Sequence, residues 1–135
     1  MSTLDNSLQK AVTTVPECVA VGCVDLASGM ILGLKTVDSH PSEVFDLLAA
    51  ATADLFQGPN VGAIEKIFRK ARGLPENAEH HYFQEIIVNS DNLIHIFLRG
   101  KRQTQVVCFV CRKGANLGMV LTKSRMALPE IESSM

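Results

Sequence analysis

The chain has 135 residues, of which 47% are hydrophobic and 20% are charged, and its formal net charge is −1. This length and composition exclude a disordered chain and predict one domain, residues 1–135, with a sizeable core. No basic segment followed by an apolar run stands near the N-terminus, and charged residues interrupt the longest apolar stretches well before membrane-spanning length. We therefore expect a cytoplasmic protein without a membrane span.

The first third of the sequence predicts a helix followed by a β-hairpin. Apolar residues recur at helical spacing up to Pro16, which ends the helix. Two runs of β-branched and small residues follow, Cys18–Asp25 and residues 30–37. Gly29 lies between them and can adopt the positive φ of a short turn, so the two strands are predicted to be antiparallel.

The segment Ser42–Gln57, SEVFDLLAAATADLFQ, predicts a helix that is apolar on two faces. Such a helix needs two apolar neighbours: one is its own sheet, and the other is a loop of this chain or a second copy. Spacing at about 100° per residue assigns the side chains to faces. The polar stripe contains Glu43, Asp46 and Asp54; one apolar face contains Val44, Leu48, Ala51 and Leu55; the next contains Phe45, Ala49, Thr52 and Phe56.

Gly58 and Pro59 end this helix, and a shorter, one-sided helix is predicted for residues 61–72 with Asn60 as its cap. Its apolar face contains Ile64, Ile67, Phe68 and Ala71, and its opposite face contains Lys66, Arg69, Lys70 and Arg72.

The second half predicts three strands and a last helix. Residues 82–89, Leu93–Arg99 and residues 105–111 are strand-like runs separated by turn-forming residues. The last two runs are apolar on both faces, which predicts that helices cover both sides of the sheet. Asn116 is expected to cap the last helix and Pro129 to close it. The predicted order is therefore α-β-β-α-(α)-β-β-β-α.

The chain resembles the roadblock family of dynein light chains in its bacterial form. The resemblance rests on the order of elements, on the hairpin VAVGCVDLASGMILGL and on the late segment RKGANLGMVL, which contains Ala115, Asn116, Leu117 and Gly118. The family is related to the longin and profilin folds, and the resemblance covers nearly the whole chain. It implies an α/β (α+β) domain built on a single five-stranded antiparallel sheet, with the central helix on one face and the two terminal helices on the other. It also implies a non-enzymatic dimer, joined through the central helix and the neighbouring edge strand, that regulates or anchors a small Ras-like GTPase or a related complex.

We therefore predict a homodimer, since an exposed apolar surface on the central helix would be unusual in a monomer. The candidate interface comprises Val44, Phe45, Leu48, Ala49, Thr52 and Phe56. The candidate partner-binding residues are the cations of the next helix, Lys66, Arg69, Lys70 and Arg72. Together with the acidic stripe, these cations would orient a partner.

No catalytic motif, cofactor fingerprint or metal-ligand spacing is evident, so no enzyme, cofactor or metal site is expected. Cys108 and Cys111 form a C-x-x-C, but residues three apart in a strand point to opposite faces. Cys18 and Cys23 also have an odd separation. We predict four reduced thiols in the core.

Charge is distributed unevenly along the chain. Residues 1–60 contain seven acidic and two basic side chains, whereas residues 92–129 contain seven basic and no acidic ones. An alternative function is therefore a sensor of small ligands or anions, or a nucleic-acid accessory, that uses a basic rim of Lys101, Arg102, Arg112 and Lys113. Nucleic acid is the less favoured partner because few aromatic residues accompany these cations.

Overall fold

The computed structural model describes residues 3–37, 42–73, 81 and 83–135, and for residues 42–47 it describes the backbone. The predicted order of elements is confirmed. The elements are α1 (Thr3–Thr14), β1 (Cys18–Asp25), β2 (Met30–Thr36), α2 (Ser42–Gln57), α3 (Pro59–Ala71), β3 (Glu85–Asn89), β4 (Leu93–Arg99), β5 (Gln105–Arg112) and α4 (Leu117–Ser133).

The five strands form one sheet in the order β2-β1-β5-β4-β3, and every neighbouring pair is antiparallel. The hairpin β1-β2 and the meander β3-β4-β5 meet where β1 pairs with β5. Strands β2 and β3 are therefore the two edges of the sheet. This arrangement confirms the predicted five-stranded antiparallel sheet.

Helices cover both faces of this sheet. Helices α1 and α4 pack together on one face, over a core that includes Leu8, Val21, Phe109 and Val120. Helix α2 packs on the other face, where Phe56 joins Leu26, Phe97 and Val106 in a second, smaller core. No helix in the described part of the chain is long and apolar enough to cross a membrane.

The junction between α2 and α3 is sharper than the sequence predicts. Helix α3 begins at Pro59, with Gly58 in the extended conformation as N-cap. The prediction that Asn60 caps this helix is wrong, because proline suits the first helical position, where an N–H would have no partner in the helix. Gly58 has no room for a side chain, since a Cβ would lie 2.6 Å from the carbonyl oxygen of Asp54.

The ends of α4 match the prediction at one terminus only. Asn116 is the N-cap, and its Oδ1 accepts a hydrogen bond from the Met119 N–H at 3.1 Å, as expected. Pro129 does not close the helix, which continues to Ser133. The last turn is held by tertiary contacts, because Ile131 is buried and the Glu132 carboxylate accepts hydrogen bonds from the backbone N–H groups of Lys101 and Arg102, at 3.1 and 3.0 Å.

Candidate functional site

Helix α2 turns one of its two apolar faces to the sheet and the other to solvent. Ala49, Thr52 and Phe56 are buried, with 2%, 4% and 0% of their surfaces exposed. Leu48 and Leu55, on the neighbouring face, are 49% and 39% exposed. We call Leu48, Ala51 and Leu55, all of which are exposed, the outer row of α2.

This orientation corrects the predicted dimer interface. Ala49, Thr52 and Phe56 are covered by the chain's own sheet, so they have almost no surface left for a second copy. Of the predicted interface residues, Leu48 is exposed, and the side chains of Val44 and Phe45 lie outside the described residues. The outer row of α2 therefore replaces the predicted set as the candidate interface.

A cavity of about 300 Å³ lies between α2 and the sheet, and its walls are almost entirely apolar. Its lining includes Leu48 and Leu55, so the cavity adjoins the outer row. The polar side chain His95 also lines it, stacked on Phe97 with ring centroids 6.3 Å apart. Burial lowers the pKa of His95, which keeps the imidazole neutral near pH 7 and suits an apolar wall.

Helix α3 has the opposite orientation to the one its pattern suggests. Ile64, Ile67 and Phe68 are 40%, 67% and 38% exposed, whereas Glu65 is only 3% exposed. The apolar residues do lie on one side of the helix, as predicted, but that side faces outward. The acidic side chain faces inward, where its carboxylate lies 3.3 Å from His81 Nδ1 and 3.9 Å from the Nη2 atom of Arg69.

A buried arginine joins α2 to the end of the sheet beside these contacts. Arg99 is 4% exposed and donates hydrogen bonds to the carbonyl oxygens of Phe83, Gln103 and Phe56, at 2.8, 2.8 and 3.2 Å. Its guanidinium also lies 5.1 Å from the centre of the Phe56 ring. Phe56 is in the last turn of α2, where carbonyl groups lack helical partners, so Arg99 fixes the C-terminal end of that helix.

The charge of Arg99 is balanced within the same region. Burial lowers the pKa of Arg99, and the nearby Glu65 carboxylate opposes that shift. Gln103 and Gln84 exchange two side-chain hydrogen bonds, of 2.9 and 3.1 Å, next to the arginine. This polar cluster was not predicted from the sequence. The only local indication of the cluster in the sequence is Arg99, a charged residue at the end of the largely apolar strand LIHIFLR.

The predicted partner-binding cations divide into two groups. Lys66, Lys70 and Arg72 are exposed, as a partner surface requires. The Arg69 side chain is only 15% exposed and is directed to Glu65. Arg69 is therefore better placed to hold α3 than to contact a partner. Of the acidic stripe predicted for α2, Asp54 is exposed, and the side chains of Glu43 and Asp46 lie outside the described residues.

The cations of the alternative function do not form one continuous rim. Lys101 and Arg102 lie in the turn before β5, whereas Arg112 and Lys113 lie at its far end. An eight-residue strand separates the two pairs by roughly 25 Å. Farther along the chain, Arg125 is neutralised by a two-bond ion pair with Glu85, with N–O distances of 3.0 and 2.7 Å.

The four cysteines are free thiols, of which Cys18, Cys23 and Cys111 are buried and Cys108 is partly buried. Cys108 and Cys111 pack into different cores on opposite faces, as predicted. Cys18 and Cys23 share one face, contrary to the prediction, because an irregularity between Cys18 and Ala20 shifts the register of β1. Burial raises the pKa values of Cys23 and Cys108 to about 12, so neither is a reactive thiolate.

The shifted register also places Cys18 opposite Cys111 across β1 and β5. The Cys111 thiol donates a hydrogen bond to Cys18, which lowers the pKa of Cys18 and raises that of Cys111. Among the described residues, no three His, Cys, Asp or Glu side chains are grouped closely enough to hold a metal ion.

Comparisons with known proteins identify the fold. The sequence matches no protein-family model, and no curated protein matches it. Solved structures do match, among them Myxococcus xanthus MglB, with a TM-score of 0.70 and 16% identity over 98% of this chain and 94% of that one. MglB in a tetrameric arrangement gives a TM-score of 0.66 and 17% identity, over 96% and 88% of the two chains.

A roadblock/LC7 domain from Streptomyces avermitilis matches over 96% of this chain and 94% of its own length, with a TM-score of 0.65 and 12% identity. At these identities the likeness is one of fold, and it confirms at that level the resemblance noted in the sequence. The chain therefore has a roadblock/LC7-type fold, similar to that of these bacterial proteins.

Proposed function

We propose that this chain is a non-enzymatic, dimeric module of the cytoplasm that regulates or anchors a small Ras-like GTPase or a related complex. The observation that carries the proposal is the outer row of α2, an exposed apolar row on the central helix of a roadblock/LC7-type fold. The existence of MglB in a tetrameric arrangement supports self-association on this fold.

Edge strand β3 adds to the proposed dimer surface. It is the edge of the sheet on the side of the meander, and Ile87 is 43% exposed on it. A groove between the α2–α3 junction and β3 is lined by Leu55, Pro59 and Ile87. An edge strand that no described residue pairs with, beside an exposed apolar row, is a surface that a second copy would cover.

We expect the double substitution Leu48→Glu with Leu55→Glu to convert a dimer into a folded monomer. Two carboxylates in an apolar interface would have to lose their hydration without a partner, which strongly disfavours association. Sedimentation of wild type and variant at micromolar concentration measures the change in mass. Met126→Glu is the control, since Met126 is 66% exposed on α4 and should leave the dimer intact.

A monomeric wild type in that measurement would contradict the proposed dimer. A dimeric double variant with an unchanged melting temperature would instead place the interface away from the outer row.

The partner surface proposed for this dimer combines Asp54 of α2 with the exposed cations of α3, Lys66, Lys70 and Arg72. Asp54 lies one turn before the junction and the cations follow it, so acidic and basic side chains stand on consecutive helices. Charges at the rim of an interface chiefly set the rate of association and its dependence on salt.

Charge reversal at Lys66 and Lys70 should slow association with a small Ras-like GTPase from the same cell about tenfold at low salt, because electrostatic steering is lost. Binding kinetics with purified GTPase, loaded in turn with GDP and a GTP analogue, would measure this effect, and rates of nucleotide exchange and hydrolysis would distinguish regulation from anchoring. The matched control is Lys101→Glu with Arg102→Glu, which changes the same charge elsewhere. Equal rates for all three proteins would exclude α3 as a partner surface.

A further inference from the structure

The outward apolar face of α3 is not used by the proposed dimer or by its charged partner surface. Of the thirteen residues of α3, all within the described part of the chain, only Glu65 is buried. Ile67 is 67% exposed and Ile64 is 40% exposed. Helices in soluble proteins normally bury such a stripe, so this face requires an explanation.

The outer surface of α3 consists of two parallel stripes. At about 100° per residue, Ile64, Ile67 and Ala71 lie within about 60° of one another. Lys66 and Lys70 lie about 40° apart on the adjoining arc, next to Ile67. All five residues are exposed. Apolar and cationic side chains therefore stand side by side on the part of the helix that faces away from the protein interior.

The charge presented by this surface has a single sign. Glu65 is the one acidic residue of α3, and it is directed into the protein toward His81 and Arg69. The exposed charged side chains of the helix and its C-cap, Lys66, Lys70 and Arg72, are all basic. The surface thus complements an anionic and partly apolar partner.

We propose that α3 docks on the surface of an anionic phospholipid bilayer. Ile64 and Ile67 would lie at the level of the upper acyl chains, and Lys66 and Lys70 would lie among the phosphate groups, with the helix in the plane of the interface. A protein partner would need a groove to receive this helix, which is exposed over most of its circumference. A bilayer interface accepts a convex helix of this composition without any such groove. The proposal shares Lys66 and Lys70 with the proposed GTPase surface. It goes beyond that surface and the dimer in assigning the apolar stripe of Ile64 and Ile67, which neither of them uses.

Cosedimentation with vesicles tests the proposal directly. The full chain should bind vesicles of phosphatidylcholine mixed with phosphatidylglycerol in equal parts, and bind vesicles of phosphatidylcholine alone far more weakly. Lys66→Gln with Lys70→Gln should lower the partition coefficient on anionic vesicles about 30-fold, since each cation near such a surface contributes about fivefold. Ile67→Ser should lower binding to the same vesicles about tenfold.

Two control variants separate α3 from general effects of charge and apolarity. Lys101→Gln with Arg102→Gln removes the same charge from the β4–β5 turn, and Met126→Ser removes an equally exposed apolar side chain from α4. The Met126 variant should bind like wild type, and the loop variant should lose several-fold less than the α3 lysine variant.

Failure of the wild-type chain to bind anionic vesicles would overturn the proposal, as would equal losses for the α3 variants and their controls. If Ile67→Ser instead lowers the mass of the protein in sedimentation, the face is covered by a second copy and the bilayer assignment is wrong. The double variant Leu48→Glu with Leu55→Glu can lose the GTPase interaction and still bind anionic vesicles. That result would show that membrane binding does not depend on the proposed dimer.

Discussion

Replacement of Arg99 by methionine is expected to lower the free energy of unfolding by about 3–5 kcal/mol, because it breaks a buried polar network at its cationic member. The carbonyl groups of Phe83, Gln103 and Phe56 would each lose a donor. Glu65 would keep its buried position and lose the nearby positive charge that balances it. Methionine fills a similar volume, so the loss reports on the polar contacts and not on a cavity.

Urea unfolding of wild type and variant at one pH measures this loss. The double variant Arg99→Met with Glu65→Gln should recover part of it, because no unbalanced charge stays buried. Arg125→Met is the matched control, as Arg125 makes a two-bond ion pair on the exposed surface and should matter far less. A change of less than about 1 kcal/mol for Arg99→Met would show that the network does not hold α2 to the sheet.

Truncation of Phe56 to alanine is expected to cost about 3–5 kcal/mol, the range for a fully buried phenylalanine. Phe56 is 0% exposed, packs edge to face on Phe97 at 6.3 Å and lies under the Arg99 guanidinium. Phe56→Glu should therefore prevent folding. This result differs from the sequence prediction, in which Phe56 belonged to the dimer interface.

The comparison variant is Leu48→Glu, which changes an exposed residue on the adjacent face of the same helix. It should fold, as judged by circular dichroism and thermal melting, and lose only self-association. A folded, monomeric Phe56→Glu variant would reverse the assignment of the two faces and restore the original interface. Because Phe56 and Arg99 are in contact, the effects of Phe56→Ala and Arg99→Met should not add.

The type and order of the elements could be read from the sequence, because they depend on local interactions. The boundaries of β1, α2 and β4 agree with the prediction. Each is set by a short-range cause, such as the turn at Gly29 or the break at Gly58 and Pro59. The Asn116 cap is equally local, since its side chain bonds an N–H three residues away.

Which face of each helix is buried depended on the tertiary structure. The two apolar faces of α2 have similar composition, so periodicity could not choose between them, and the sheet covered the one that contains Phe56. For α3 the pattern pointed the wrong way, because an ion pair with Arg69, a contact with His81 and the charge of Arg99 together hold Glu65 inside. In β1, one register shift moved Cys18 to the face of Cys23.

The candidate site depends most on contacts between residues that are distant in the chain. Hydrophobic spacing is a property of one element, whereas burial is a relation between elements that are distant in the chain. Arg99 and Phe56 are 43 positions apart, and Gln103 and Gln84 are 19 apart, so no local pattern could pair them. The sequence determined that α2 has two apolar faces and that α3 has one. Only the tertiary structure decided that Leu48 with Leu55 and Ile64 with Ile67 face outward, because packing and buried charge select which side of each helix faces the interior.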